Sequence, residues 1–153
     1  MYKKILAPLD GSQLAECTLA HTRAVAKGCQ VPKVILLRVI EPIPQGGDIG
    51  IEVSEDWRRN AEKGAKAAAK DYLSKVADNL NKDGIAAETA VVSGMAADQI
   101  LDYAKKNQVD LIVMSSHGRS GISRWVLGSV ADRVLRHSAA PVLLISPAGC
   151  RTN

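Results

Sequence analysis

The chain has 153 residues, a net charge of +4, and 46% hydrophobic against 24% charged residues, the make-up of one ordinary domain long enough to bury a core. Phenylalanine is absent and aromatics are only 3%, which points to aliphatic parallel strands under alanine-rich helices. No apolar stretch approaches a membrane span, and the opening MYKKILAPLDGS is too short for a signal-peptide core. Cys17, Cys29 and Cys150 have neither paired spacing nor histidines at zinc-site intervals, so no disulfide framework or metal site is expected, and a cytoplasmic location follows by default. The lysines are spread, so the positive charge reads as a solvated basic surface ahead of an anion-binding patch.

In chain order, Lys3–Leu9 (KKILAPL) predicts a short first strand, and Asp10-Gly11-Ser12 a turn that caps the following helix. Leu14, Cys17, Ala20, Ala24 and Val25 recur at helical spacing, with Gly28 as the stop. Val34–Ile40 (VILLRVI) is the nearly continuous apolar run of a central strand. Pro42, Pro44, Gly46, Gly47 and Gly50 forbid regular structure between Glu41 and Val53 and mark a mobile loop. Trp57, Ala61, Ala65, Ala68, Tyr72, Val76 and Leu80 form the apolar stripe of a long helix that Asp83-Gly84 ends. Ala86–Val92 predicts a third strand, Gly94 opens a helix with Ile100, Leu101 and Ala104 inward, and Val109–Ser115 (VDLIVMS) is the most hydrophobic strand. A helix from about Ser129 to His137 and a fifth strand, Val142–Ile145, complete the pattern.

Strands alternating with helices demand parallel pairing through right-handed crossovers. The expectation is an α/β fold, a Rossmann- or flavodoxin-like three-layer sandwich with a five-stranded parallel sheet and about four helices. Residues 1–147 form one domain and 148–153 a short tail. Ligands of such sheets bind beyond the strand C-termini where the strand order reverses, which puts Asp10 and Ser115–Gly118 on one rim.

The segment Ser115–Ser129, SSHGRSGISRWVLGS, follows a buried strand and opens a helix. The spacings of a Walker-type loop and of a dinucleotide-binding Rossmann fingerprint are both absent from the chain. Gly118, Gly121 and Gly128 let main-chain N–H groups approach an anion. Ser129 reads as the N-cap with Asp132 three residues on, and the first helical turn offers unpaired N–H groups. Arg119 and Arg124 supply positive charge. Together these favour a phosphate-binding loop over a plain connection.

With the strand ending Pro8-x-Asp10-Gly11-Ser12 and the closing His137-Ser138-x-x-Pro141-Val-Leu-Leu-Ile145, this spacing resembles the universal stress protein family over about Tyr2 to Ser146. The family's nucleotide-binding branch carries Gly-x2-Gly-x9-Gly-Ser/Thr; here Gly118, Gly128 and Ser129 match, and Ser115 stands at the first glycine. The resemblance implies a site for ATP or another adenine nucleotide, with Mg²⁺ accompanying the triphosphate; AMP and a cyclic nucleotide remain open. Pro8 and Asp10 would flank the adenosine, and Val39 would face the adenine. Gly118, Gly128, Ser129 and Val130 would hold the phosphates, with Ser115, His117 and Arg119 completing the loop, and Glu41–Val53 would close over the base.

A solitary loop histidine such as His117 favours a structural role over that of a general base, because no nucleophile with a paired acid accompanies it. Asp10 fits a turn-forming N-cap and a ligand contact equally, and Trp125 suits both packing under the loop and a partner surface. The fifth strand, last in the chain, belongs at a sheet edge, where VLLI needs cover. Pairing with the same strand of a second copy supplies it, and the resemblance implies the same homodimer. The expected function is therefore that of an ATP-binding stress-response dimer, not primarily an enzyme, with at most slow hydrolysis; the alternative is a dimeric scaffold that binds no nucleotide. Neither a membrane nor a nucleic acid is an expected partner, since basic residues do not alternate with aromatics.

Overall fold

Aliphatic runs separated by amphipathic segments fold into alternating strands and helices in a computed structural model that describes residues 1–44, 54–117 and 127–150. The order is β1 (Lys4–Pro8), α1 (Gln13–Gly28), β2 (Lys33–Ile40), α2 (Glu55–Lys82), β3 (Ala87–Ser93), α3 (Ala96–Lys106), β4 (Leu111–Ser115), α4 (Ser129–His137) and β5 (Val142–Ile145). A 3-10 turn, Pro147–Cys150, follows. The strands form one parallel sheet in the order β3-β2-β1-β4-β5. The chain therefore reverses direction across the sheet between β1 and β4, as the sequence predicts, and opens a crevice above their C-terminal ends.

Side-chain alternation assigns the core to two layers. Ile5, Val34, Leu36, Leu111 and Val113 face α1 and α2, where Leu73 and Leu80 are fully buried. Leu6, Ile35, Leu37, Ile112 and Met114 face α3 and α4, against Ile100, Ala104 and Val134. Each fully buried Leu or Ile stabilises the fold by about 1.5–3 kcal/mol, so the central strands carry most of the hydrophobic stabilisation. Among the described helices none is long and apolar enough to cross a membrane.

Three helices stop by the same device. Behind α1, α2 and α3 the N–H groups of Val31, Ile85 and Val109 donate to Ala26, Leu80 and Ala104, each at 2.9–3.0 Å, and all three of those residues are buried. This is the Schellman arrangement, with its apolar residue just past the end. The left-handed position is Gly84 after α2, but Gln30 (φ 50°) after α1 and Gln108 (φ 52°) after α3. Gly28 is thus the last helical residue and not the turn itself. The buried Val31 fixes the exit path strongly enough for Gln30 to accept the strained backbone.

The cysteines depart from the expectation. Cys17 and Cys150 form a disulfide with Cα atoms 5.4 Å apart, because the turn after β5 folds back onto α1. Cys29 is free. The tail from residue 148 is, up to Cys150, part of that turn.

Candidate functional site

The C-terminal ends of β1, β2 and β4 open into a cleft of about 520 Å³, within the usual range for a small-molecule site. Its walls bring together Pro8, Asp10, Val39, Ser115, His117, Gly128, Ser129 and Val130, eight residues that the sequence selects from four separate segments. Gly118 and Arg119, with Gly121, Arg124, Trp125 and most of the segment from Glu41 to Val53, lie outside the described residues.

The β1 side of the rim is held by its own hydrogen bonds. Asp10 Oδ1 accepts from the Ser12 N–H at 2.9 Å, and Ser12 Oγ accepts from the Ala15 N–H at 3.1 Å. Gly11, with φ 82°, makes the tight turn that a residue with Cβ would strain. Asp10 therefore fills its turn role and still lines the cleft.

On the β4 side, Ser116 donates its N–H to Ile145 and accepts the Gly128 N–H on its carbonyl, both at 2.9 Å. Ser115 Oγ donates to the His117 carbonyl at 2.7 Å, and Ser116 Oγ lies 2.9 Å from His117 Nδ1. His117 is 8% exposed. Its imidazole is held at the rim by Ser116 and also lines the cleft.

The decisive geometry is at α4. Its N-cap is Gly128, not Ser129, and among the described residues no side chain caps the helix. Asp132 is not the reciprocal partner of a capping box; it pairs with Arg136 at 2.9 Å. Gly128 spends its own N–H on Ser116, so it cannot present that group to a ligand as the sequence suggests. The donors left at the cleft are those of the first helical turn, beginning at Ser129 and Val130, at the positive end of the helix dipole. Such an arrangement accepts an anion.

Several cleft residues are not evident from sequence. Arg38 interrupts the apolar run of β2, lines the cleft, and donates from Nη1 to the Leu9 carbonyl at 3.3 Å. It is the cationic side chain among the described walls, and a charge inside a buried strand is the signal that marks it. Glu41, also in the wall, accepts the Ala96 N–H at 3.4 Å and so covers the start of α3, where Met95 provides no side-chain cap. Behind Arg38 sits Tyr72, whose phenol is pushed up to about 12 by burial, with the Glu16 and Asp10 carboxylates adding to the effect and Arg38 opposing it. Among the described residues no three His, Cys, Asp or Glu side chains gather to hold a metal ion.

The sequence pattern of the Universal stress protein family matches residues 1–146. The chain belongs to the universal stress protein family. Universal stress protein MJ0577 of Methanocaldococcus jannaschii is 32% identical over 155 residues, spanning 95% of each chain. The solved structure of MJ0577 matches this fold with a TM-score of 0.82, covering 100% of this chain and 99% of the other. More distant family members keep the fold. An Arabidopsis thaliana protein with AMP bound is 19% identical at a TM-score of 0.66, covering 94% of this chain and 91% of its own. A universal stress protein in complex with cAMP is 23% identical at the same score, covering 95% and 97%.

Proposed function

We propose that this universal stress protein binds an adenine nucleotide in the cleft above β1, β2 and β4, and that occupancy regulates a homodimer in the cytoplasm. The observation that carries the reading is the N-terminus of α4, capped by a glycine and by no described side chain, whose first residues line a cleft with Arg38 in its wall. The Ser129 hydroxyl, the first-turn N–H groups of α4 and Arg38 would hold the phosphates, with Pro8, Asp10 and Val39 around the nucleoside. Two members of the fold hold AMP and cAMP, which narrows the choice of nucleotide to test. In the absence of a protein metal cluster among the described residues, Mg²⁺ would arrive with a triphosphate, bound mainly by the phosphate oxygens. β5 is an edge strand of four residues, and the dimer pairs it with its copy.

The protein is not primarily an enzyme on this reading. The imidazole of His117 is engaged by Ser116 Oγ, so any hydrolysis is slow.

Calorimetry with ATP, ADP, AMP and cAMP, each with and without Mg²⁺, tests the proposal. Binding weakened by Ser129→Ala and by Arg38→Gln is the expected result. Absence of heat and of thermal shift with every nucleotide would overturn it. A specific observation favours the scaffold alternative: the Ser115 hydroxyl is tied to the His117 carbonyl, which leaves a Cβ at the rim where the nucleotide-binding branch has glycine. If Ser115→Gly binds nucleotide and the parent does not, the scaffold reading holds.

A further inference from the structure

Outside the cleft, one pair of nucleophilic side chains is joined covalently. Cys17 lies on the second turn of α1 and Cys150 at the end of the terminal turn, 133 residues apart in sequence. Both residues are half-buried against the core layer that faces α1 and α2, and access governs exchange as much as thiol chemistry does. The sheet and its four helices are complete at Ile145. What the bond adds is the placement of Pro147–Cys150 on the flank of α1. Cleaving it does not require the fold to open.

The bond also spans the two sides of the rim. Cys17 is two residues beyond Ala15, whose N–H is capped by Ser12 and which lines the cleft. Cys150 is five residues beyond Ile145, whose carbonyl accepts the Ser116 N–H beside His117.

We propose that Cys17 and Cys150 form a reversible thiol–disulfide site that locks the terminal turn to α1 when oxidised and releases it when reduced. The co-substrate is a low-molecular-weight disulfide, RSSR. One cysteine thiolate attacks it, forming a mixed disulfide and expelling RS⁻. The second thiolate then attacks the protein sulfur of that mixed disulfide and expels the other RS⁻. The two cysteine protons end on two RSH, and the protein loses two electrons to the disulfide. A reducing thiol runs the exchange backwards. If the protein works in a reducing compartment, as proposed above, such a bond is transient and regulatory rather than permanent. The site is independent of whatever the cleft binds.

The test uses the full-length native protein equilibrated with glutathione buffers from fully oxidised to fully reduced, then denatured, labelled with N-ethylmaleimide and weighed. The chain has three cysteines. One label, on Cys29, is expected at the oxidised end and three at the reduced end, with a smooth transition between. Amide exchange should quicken in Pro147–Cys150 and in the first turns of α1 on reduction, and Cys150→Ser should show the fast pattern in every buffer. Three labels in every buffer, a bridge that includes Cys29, or one label that persists under reducing native conditions would each overturn the proposal. So would exchange rates that do not change on reduction.

Discussion

Two helix N-termini face the same cleft and are finished in opposite ways. At α1 the chain satisfies itself: Ser12 caps the helix and Asp10 caps Ser12. At α4 the cap residue is a glycine, and among the described residues no side chain caps the first turn. The helices away from this contrast follow the α1 pattern or borrow it. Ser54 caps α2 through the Trp57 N–H at 3.2 Å, and Glu41 covers α3 from across the cleft. A glycine cap leaves first-turn donors without a side-chain partner and costs a few tenths of a kcal/mol relative to a good cap. On the proposed reading, the glycine cap leaves the first turn of α4 to a ligand, whereas the first turn of α1 is closed by Ser12 even though Asp10 and Ala15 line the same cleft.

The largest effect is expected from converting α4 into a copy of α1. The backbone at Gly128 (φ −59°, ψ 147°) accepts any residue, and Gly128→Asp supplies both a cap and a negative charge. Nucleotide affinity should fall on the order of 100-fold, as lost charge-assisted hydrogen bonds and added repulsion require, while the melting temperature stays level or rises slightly. Calorimetry and thermal denaturation together check this; unchanged affinity would remove the phosphate from α4. The converse change, Ser12→Ala, should cost about 1 kcal/mol of stability by denaturant titration and leave nucleotide affinity within a few-fold.

A smaller effect sharpens the contrast from behind α1. Tyr72 is held up to about 12, against an ordinary value of about 10. The native state binds that proton more firmly than the unfolded chain, so its contribution is complete below about pH 10. It is lost as pH rises from there through about 12. Tyr72→Phe should flatten that stretch of the stability profile; an identical alkaline slope in parent and variant would contradict the assignment.

Much of this was legible in the sequence, for physical reasons that differ by element. β2 and β4 announce themselves because a strand covered on both faces must be apolar throughout, and the alternation of strand and helix then forces the parallel sheet. The rim residues follow from topology. The true cap of α4 was displaced by one position because glycine has no side chain to signal a cap, while Ser129 and Asp132 imitate one. Arg38 was hidden inside VILLRVI, where the apolar majority defines the strand and conceals the exception. Cys17 and Cys150 gave no warning because spacing carries no information about a pair brought together only when the turn after the last strand folds back onto α1.

That bond has a mechanical consequence. With Cys17 joined to Cys150, everything between them is a closed ring, and β1, residues Lys4–Pro8, is the one strand outside it. Yet β1 is the middle strand of the sheet, flanked by β2 and β4. A load applied to the two chain ends would bypass four strands through a pair of sulfur atoms and fall on the strand held on both sides. Oxidation would thus route the pull to an interior ribbon paired on both flanks, and reduction would hand it back to the edge.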